Sequence, residues 1–260
     1  MKTLVLLACL VPAALAQEKN LRCGDEWNDN GHYCEMREVS LPASGHLDVD
    51  GGVNGGISVR AANRSDILVR AKVQTYRHAE EDSRSLAQQV RVETAGGSIH
   101  AVGPSENGHQ EWGVSFEILA PQRTDLSLHT HNGGIHISGV EGHIRFEATN
   151  GGVSLERLAG SVEGHTTNGG LHLVLANDHW EGDQCDISTT NGGVTILVPA
   201  NYSAHLETGT VNGGIALGFP VTVQGEIRKQ ISVDLGAGGK LVRATTTNGG
   251  ISVKHVSGST

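Results

Sequence analysis

The triplet Asn-Gly-Gly begins at Asn54, Asn132, Asn150, Asn168, Asn191, Asn212 and Asn248, each time followed by Ile, Val or Leu. From Asn132 onward the steps are 18, 18, 23, 21 and 36 residues. A period of about twenty residues is the length of one rung of a β-solenoid, too short for a helical hairpin or a propeller blade. The step of 36 is twice eighteen, which predicts one degenerate turn between Asn212 and Asn248. "LGAGGKL" (235–241) and "TAGGSIH" (94–100) read as rungs that have lost the Asn.

Side chains of a strand alternate between faces with period two. Leu126, Leu128, Thr130 and Asn132 share one parity; so do Ile144, Phe146, Ala148 and Asn150, and Val162, Gly164, Thr166 and Asn168. The other parity holds polar residues, so the Asn is expected to continue the inward column. The two glycines are expected to bend the chain, since Gly takes positive φ without penalty. The aliphatic residues three and five positions after each Asn, such as Ile135 and Ile137, then re-enter the interior. Stacked rungs would align Asn132, Asn150, Asn168, Asn191, Asn212 and Asn248 as a buried ladder of carboxamides bonded to one another. Asn-Gly also marks two-residue hairpins, which would give an antiparallel meander instead. The constant offset of the Asn along one face favours coiling.

The chain has 36 Gly and only 3% aromatic residues, a composition often found in disordered segments. The regular aliphatic alternation argues for order. Residues 78–90 read as the one helix, with Glu80, Glu81 and Asp82 at its start and an apolar stripe of Ala79, Leu86, Ala87 and Val90. Such a helix can cap an otherwise sticky stack end.

Residues 1–16 read as a signal peptide, with Lys2, an apolar run Leu4–Val11 and Ala14-Leu15-Ala16 before a mature start near Gln17. "LLAC" resembles a lipoprotein box that would acylate Cys9, but almost no apolar stretch precedes it. No segment is apolar enough to span a bilayer. Residues 17–36 form a polar entry in which Cys23 and Cys34 bracket a short loop. In an exported chain this suggests a disulfide, with free thiols or a metal pair as alternatives. Residues 37–256 form the repeat domain, in which Cys185 reads as a small buried thiol. A net charge of −9 with no basic run argues against nucleic-acid phosphate as partner.

"VSFEILAPQRTDLSLHTHNGGI", the "TTNGG" rungs and "ISVDLGAGGKLVRATTTNGGISV" resemble a bacterial putative-adhesin family of exported β-strand-repeat proteins, catalogued as a domain of unknown function. The resemblance covers residues 37–256. It implies an all-β, right-handed β-helix-like solenoid in the cell envelope, and brings no catalytic motif.

Fourteen His residues raise a metal hypothesis. His129, Glu147 and His165 share one offset from their Asn, and His136, Ser154 and His172 another, so adjacent rungs would set each set together. Solvated side chains on a polar face are the simpler reading, and no cofactor is expected. The carboxylates Glu147, Glu156, Glu163 and Asp186 are scattered rather than paired for glycoside cleavage. Trp27, Trp112 and Trp180 are isolated, which suits capping or edge packing better than sugar stacking. Neither a Gly-x-Ser-x-Gly elbow nor a phosphate loop is present. Thr149, Thr167, Thr190 and Thr247 form an outward column, but their neighbours two residues earlier are not threonines except at Thr245, so an ice-binding array is poor. The expected function is a non-catalytic exported adhesin or surface-binding protein of the envelope. Its partner would be an envelope polymer, a protein, or another copy reached through a rung edge. The alternatives are a purely structural envelope or stress-response component, and a weak metal-binding or glycan-active β-helix.

Overall fold

The computed structural model describes residues 21–24, 31–105, 111–220 and 229–256. The signal peptide over 1–16, Cys9, Gln17, Trp27 and the terminal tail over 257–260 lie outside the described residues. In chain order the elements are β1 (His32–Pro42), β2 (His46–Asp50), β3 (Ile57–Ala61), β4 (Asp66–Tyr76), α1 (Glu80–Gln89), β5 (Arg91–Ala95), β6 (Ser98–Val102) and β7 (Trp112–Ala120). The rungs follow as β8 (Asp125–Asn132), β9 (Ile135–Ser138), β10 (Glu141–Asn150), β11 (Val153–Glu156), β12 (Ala159–Asn168), β13 (Leu171–Val174), β14 (Gln184–Asn191) and β15 (Val194–Val198). The chain ends with β16 (Ala204–Asn212), β17 (Ile215–Leu217), β18 (Gln230–Leu235), β19 (Leu241–Asn248) and β20 (Ile251–His255).

These strands build two ten-stranded, mostly parallel sheets. One runs β1-β4-β7-β3-β9-β11-β13-β15-β20-β17, the other β18-β16-β19-β14-β12-β10-β8-β2-β6-β5. Each Asn-Gly-Gly corner carries the chain from the second sheet to the first. The registers are continuous: Leu126, Ile144, Val162, Cys185 and Val242 are successive partners in one sheet, and Ile135, Val153, Leu171, Val194 and Ile251 in the other. These aliphatic columns are almost fully buried and belong to one hydrophobic cluster. Cys185 is fully buried within it, and desolvation by burial pushes its thiol pKa up. Position 164 shares the inward parity and is glycine because a Cβ there would sit 2.4 Å from the Phe146 ring of the adjoining rung.

Spatial order departs from chain order at both ends. The last rung in sequence, β19–β20, is inserted between the β14–β15 rung and the β16–β17 rung. The step of 36 is therefore not two coils with one degenerate. Residues 235–241 instead turn from β18, antiparallel to β16, back into β19, with Gly236, Gly238 and Gly239 at positive φ. "TAGGSIH" is likewise no rung: Gly96 and Gly97, at φ 62° and 86°, form the turn of the antiparallel β5–β6 hairpin. Antiparallel strands supply turns that fit Gly-Gly too, and the dipeptide alone does not tell the two uses apart.

At the opposite end α1 packs on β1 and β4. Its buried residues are Ser83, Leu86 and Ala87, with Val90 following; Ala79 is exposed and not part of the stripe. Ser83 is buried because its hydroxyl donates to the Gly31 carbonyl and its own carbonyl accepts from Thr75 Oγ1 at 2.8 Å. The last turn carries no basic residue of its own, so Arg37 of β1 supplies the cation. Its guanidinium donates to the carbonyls of Ala87 and Val90 at 2.7 and 2.5 Å. Cys23 and Cys34 form a disulfide with a Cα–Cα distance of 5.8 Å, tying the entry segment to β1. Trp112 and Trp180 are buried, their indole N–H groups donating to the carbonyls of Pro104 (2.7 Å) and Gly160 (3.0 Å).

Candidate functional site: the Asn-Gly-Gly rim and the face beside it

At the internal corners three kinds of hydrogen bond run from rung to rung. The carboxamides form a chain of hydrogen bonds: Asn132 donates to Asn54 at 3.1 Å, Asn150 to Asn132 at 2.9 Å, and Asn168 to Asn150 at 2.8 Å. Asn191 then donates to Asn168 at 2.8 Å, Asn248 to Asn191 at 2.7 Å and Asn212 to Asn248 at 2.7 Å. Beside them the first-glycine N–H of one rung donates to the Asn carbonyl of the next, as Gly151 does to Asn168 at 3.0 Å. The aliphatic residue's N–H, such as that of Val153, donates to the second-glycine carbonyl at 2.9 Å.

The carboxamides are not inside. All six of the expected ladder residues are exposed, so the buried column is corrected to a rim. The period-two argument assumes that the strand keeps its pleat up to the Asn. The inward series instead ends at the residue two before the Asn and resumes three after it, while the backbone swings the carboxamide outward.

The buried partner of the rim is a set of threonines. Thr130, Thr166, Thr189, Thr210 and Thr246, each two residues before the Asn, are at most 4% exposed. Each hydroxyl donates to the first-glycine carbonyl of the adjoining rung, at 2.6 Å for Thr130 to Gly55 and 2.8–2.9 Å for the others. A glycine carbonyl at the turn that would otherwise face apolar side chains is thereby satisfied. Gly52 before Asn54 and Ala148 before Asn150 break the set. Strand parity puts Thr130 and Thr166 inside, as they are; that the inward series stops there, short of the Asn, needed the structure.

The glycines also have a different cause from the one expected. None of those in the seven triplets has positive φ. The first is required by close stacking: a Cβ on Gly151, Gly169, Gly192 or Gly249 would lie 2.0 Å from the glycine carbonyl oxygen of the adjoining rung. The second is less crowded, with the nearest oxygen 3.3 Å from a Cβ on Gly170 and 3.6 Å on Gly152.

On the outer face of the first sheet, just past the corner, the register aligns Ser58, His136, Ser154, His172 and Thr195. These five and the second glycines Gly56, Gly134, Gly152, Gly170 and Gly193 line an open, mostly apolar groove of about 810 Å³, with Leu21 at its wall. The glycines leave backbone as its floor. Desolvation lowers the His136 pKa, with Arg60 and Arg157 acting the same way and Glu156 opposing.

The other sheet's outer face brings His129, Glu147 and His165 side by side as register partners. Their contacts lead elsewhere. His165 Nδ1 and Nε2 meet Ser188 (3.0 Å) and Thr190 (3.2 Å), and His129 lies 3.5 Å from Asp50. Among the described residues no group of three or more His, Cys, Asp or Glu is placed to hold a metal ion. Further along, His205 contacts Asp234 through Nδ1 (2.7 Å) and Ser232 through Nε2 (3.1 Å). That is the contact order of a serine-hydrolase triad. Here, however, Asp234 is 66% exposed and Ser232 is exposed in mid-strand. Water therefore screens the charge, and no turn presents the hydroxyl.

Among the described residues no helix is long and apolar enough to cross a membrane. No curated protein matches the chain. Among solved structures it is similar to a putative cell adhesion protein from Clostridium sporogenes (10% identity, TM-score 0.47, covering 86% of this chain and 100% of that one). It is also similar to a putative adhesin from Bacteroides fragilis (12%, TM-score 0.35, 86% and 97%), and to one from Parabacteroides distasonis (10%, TM-score 0.29, 86% and 97%). The family model for Toastrack DUF4097 matches residues 39–254, nearly the whole of the stack whose rim and registers are described above, and the chain belongs to that family.

Proposed function

We propose that the protein is a non-catalytic, exported solenoid of right-handed winding that presents its groove face to a linear envelope polymer, in the manner of an adhesin. One observation carries the reading: the column Ser58–His136–Ser154–His172–Thr195 repeats hydroxyl or imidazole groups at five successive rungs above a glycine floor. Five rungs at about 4.8 Å give a track of roughly 19 Å. An extended glycan laid along it meets donors and acceptors at a regular interval, with backbone close enough for the sugar faces to rest on. The Cys23–Cys34 disulfide supports an oxidising, extracytoplasmic setting.

The test is a glycan array probed with the pure protein and with the double variant His136→Ala, His172→Ala. Enrichment of one glycan class that the variant loses supports the proposal. Absence of binding to any glycan favours a purely structural envelope component. Labelling of Ser232 by a fluorophosphonate would overturn the non-catalytic part.

A further inference from the structure

The seven repeats place Asn before Gly-Gly and an aliphatic residue every time. Asn-Gly is the dipeptide most prone to deamidation. The backbone nitrogen of the glycine attacks the Asn Cγ, a new N–Cγ bond forms, the Cγ–Nδ2 bond breaks, and ammonia leaves carrying the glycine's proton. Water then opens the succinimide to aspartate or isoaspartate. Because the following residues are matched, the local sequence gives all seven sites nearly the same intrinsic reactivity, and differences between them come from the fold.

Six of the seven attacking nitrogens are tied down. The N–H groups of Gly55, Gly133, Gly151, Gly169, Gly192 and Gly249 each donate to the Asn carbonyl of the next rung, at 3.0–3.2 Å. Their Asn oxygens each accept from the next carboxamide as well. The corner at Asn212 is the last of the spatial stack. Asn212 donates to Asn248, and its carbonyl accepts from Gly249 N–H at 3.1 Å. Among the described residues, however, no further rung receives the Gly213 N–H or supplies a donor to Asn212 Oδ1. Gly213 is exposed, whereas the first glycines at 133, 151, 169, 192 and 249 are half-buried, and a Cβ on Gly214 would meet nothing within 4 Å.

We infer that, of the seven Asn-Gly pairs of the repeats, Asn212 is the one that deamidates fastest in the folded protein, and that the stack protects the other six. Among the described residues nothing accepts the Gly213 N–H, so the corner is held on one side only and swings more readily into the cyclisation geometry. At an internal corner the same movement breaks bonds on both sides, so reaction awaits local opening. The product matters to the fold: an aspartate at 212 loses the amide donor to Asn248, and an isoaspartate also lengthens the backbone at the corner.

The full-length folded protein is aged in warm, mildly alkaline buffer, and each Asn-Gly peptide is quantified by mass spectrometry with separation of the isoaspartyl form. Asn212 is expected to convert about ten-fold faster than Asn150, Asn168 or Asn191. Comparable rates at Asn212 and these three would overturn the inference. A parallel incubation in concentrated urea removes the fold, and all seven are then expected to react at similar rates. Persistence of the Asn212 lead in urea would assign the order to sequence and likewise overturn the inference.

Discussion

Thr166 and Asn168 lie two residues apart, and both bond the same adjoining corner. Thr166 donates to the Gly151 carbonyl at 2.9 Å, and Asn168 donates to the Asn150 carboxamide at 2.8 Å. Thr166 is fully buried and Asn168 is exposed. A lost bond in water is replaced by water, while a lost bond in the core leaves a carbonyl unsatisfied. The conspicuous repeat residue is therefore not the one on which the stack depends most. The two glycines that follow make the same kind of pair, a Cβ falling 2.0 Å from backbone oxygen at Gly169 and 3.3 Å at Gly170.

The largest effect is expected from the crowded glycine. Gly169→Ala puts a Cβ 2.0 Å from a backbone oxygen that cannot move without parting the rungs. It should cost about 4 kcal/mol or more, or abolish folding, as read by chemical denaturation. Thr166→Val keeps the shape and removes the donor to Gly151. A loss of about 1–3 kcal/mol is expected, and a smaller one would show that water reaches the corner carbonyl. Asn168→Leu breaks two exposed amide bonds, one to Asn150 and one from Asn191. Thermal melting should show a loss of about 1 kcal/mol; a loss matching that of Thr166→Val would erase the contrast between core and rim. Smallest is Gly152→Ala, with 3.6 Å to the nearest oxygen and no positive φ to strain. Its stability should change by less than about 0.5 kcal/mol.

The helix shows the same division between local pattern and tertiary supply. Its acidic start at Glu80, Glu81 and Asp82 was readable, as were Leu86, Ala87 and Val90 on the packed side. Its C-terminal cation was not, because Arg37 comes from a strand some fifty residues earlier in the chain. Ser83, which is no part of the apolar stripe, is fully buried because Gly31 and Thr75 complete its hydrogen bonds.

The groove was half legible. The offset of His136, Ser154 and His172 from their Asn predicted one column, and the parallel registers align them. That Ser58 and Thr195 extend it, and that glycines floor it, required the rung order in space. The column through His129, Glu147 and His165 is equally regular. Among the described residues no metal-ligating group forms there, and the rings of His165 and His129 contact Ser188, Thr190 and Asp50.

By itself the sequence determined the all-β stack, the length of a rung and which aliphatic residues face inward, because period-two alternation and a repeat of about twenty residues leave little other way to bury those side chains. Only the tertiary structure decided where the Asn points, why the glycines are glycines, and that the last rung of the chain is threaded between two earlier ones. Each of these depends on what the adjoining rung places within a few ångströms, and that neighbour lies between 18 and 57 residues away along the chain for the rim Asn pairs at 150, 168, 191, 212 and 248.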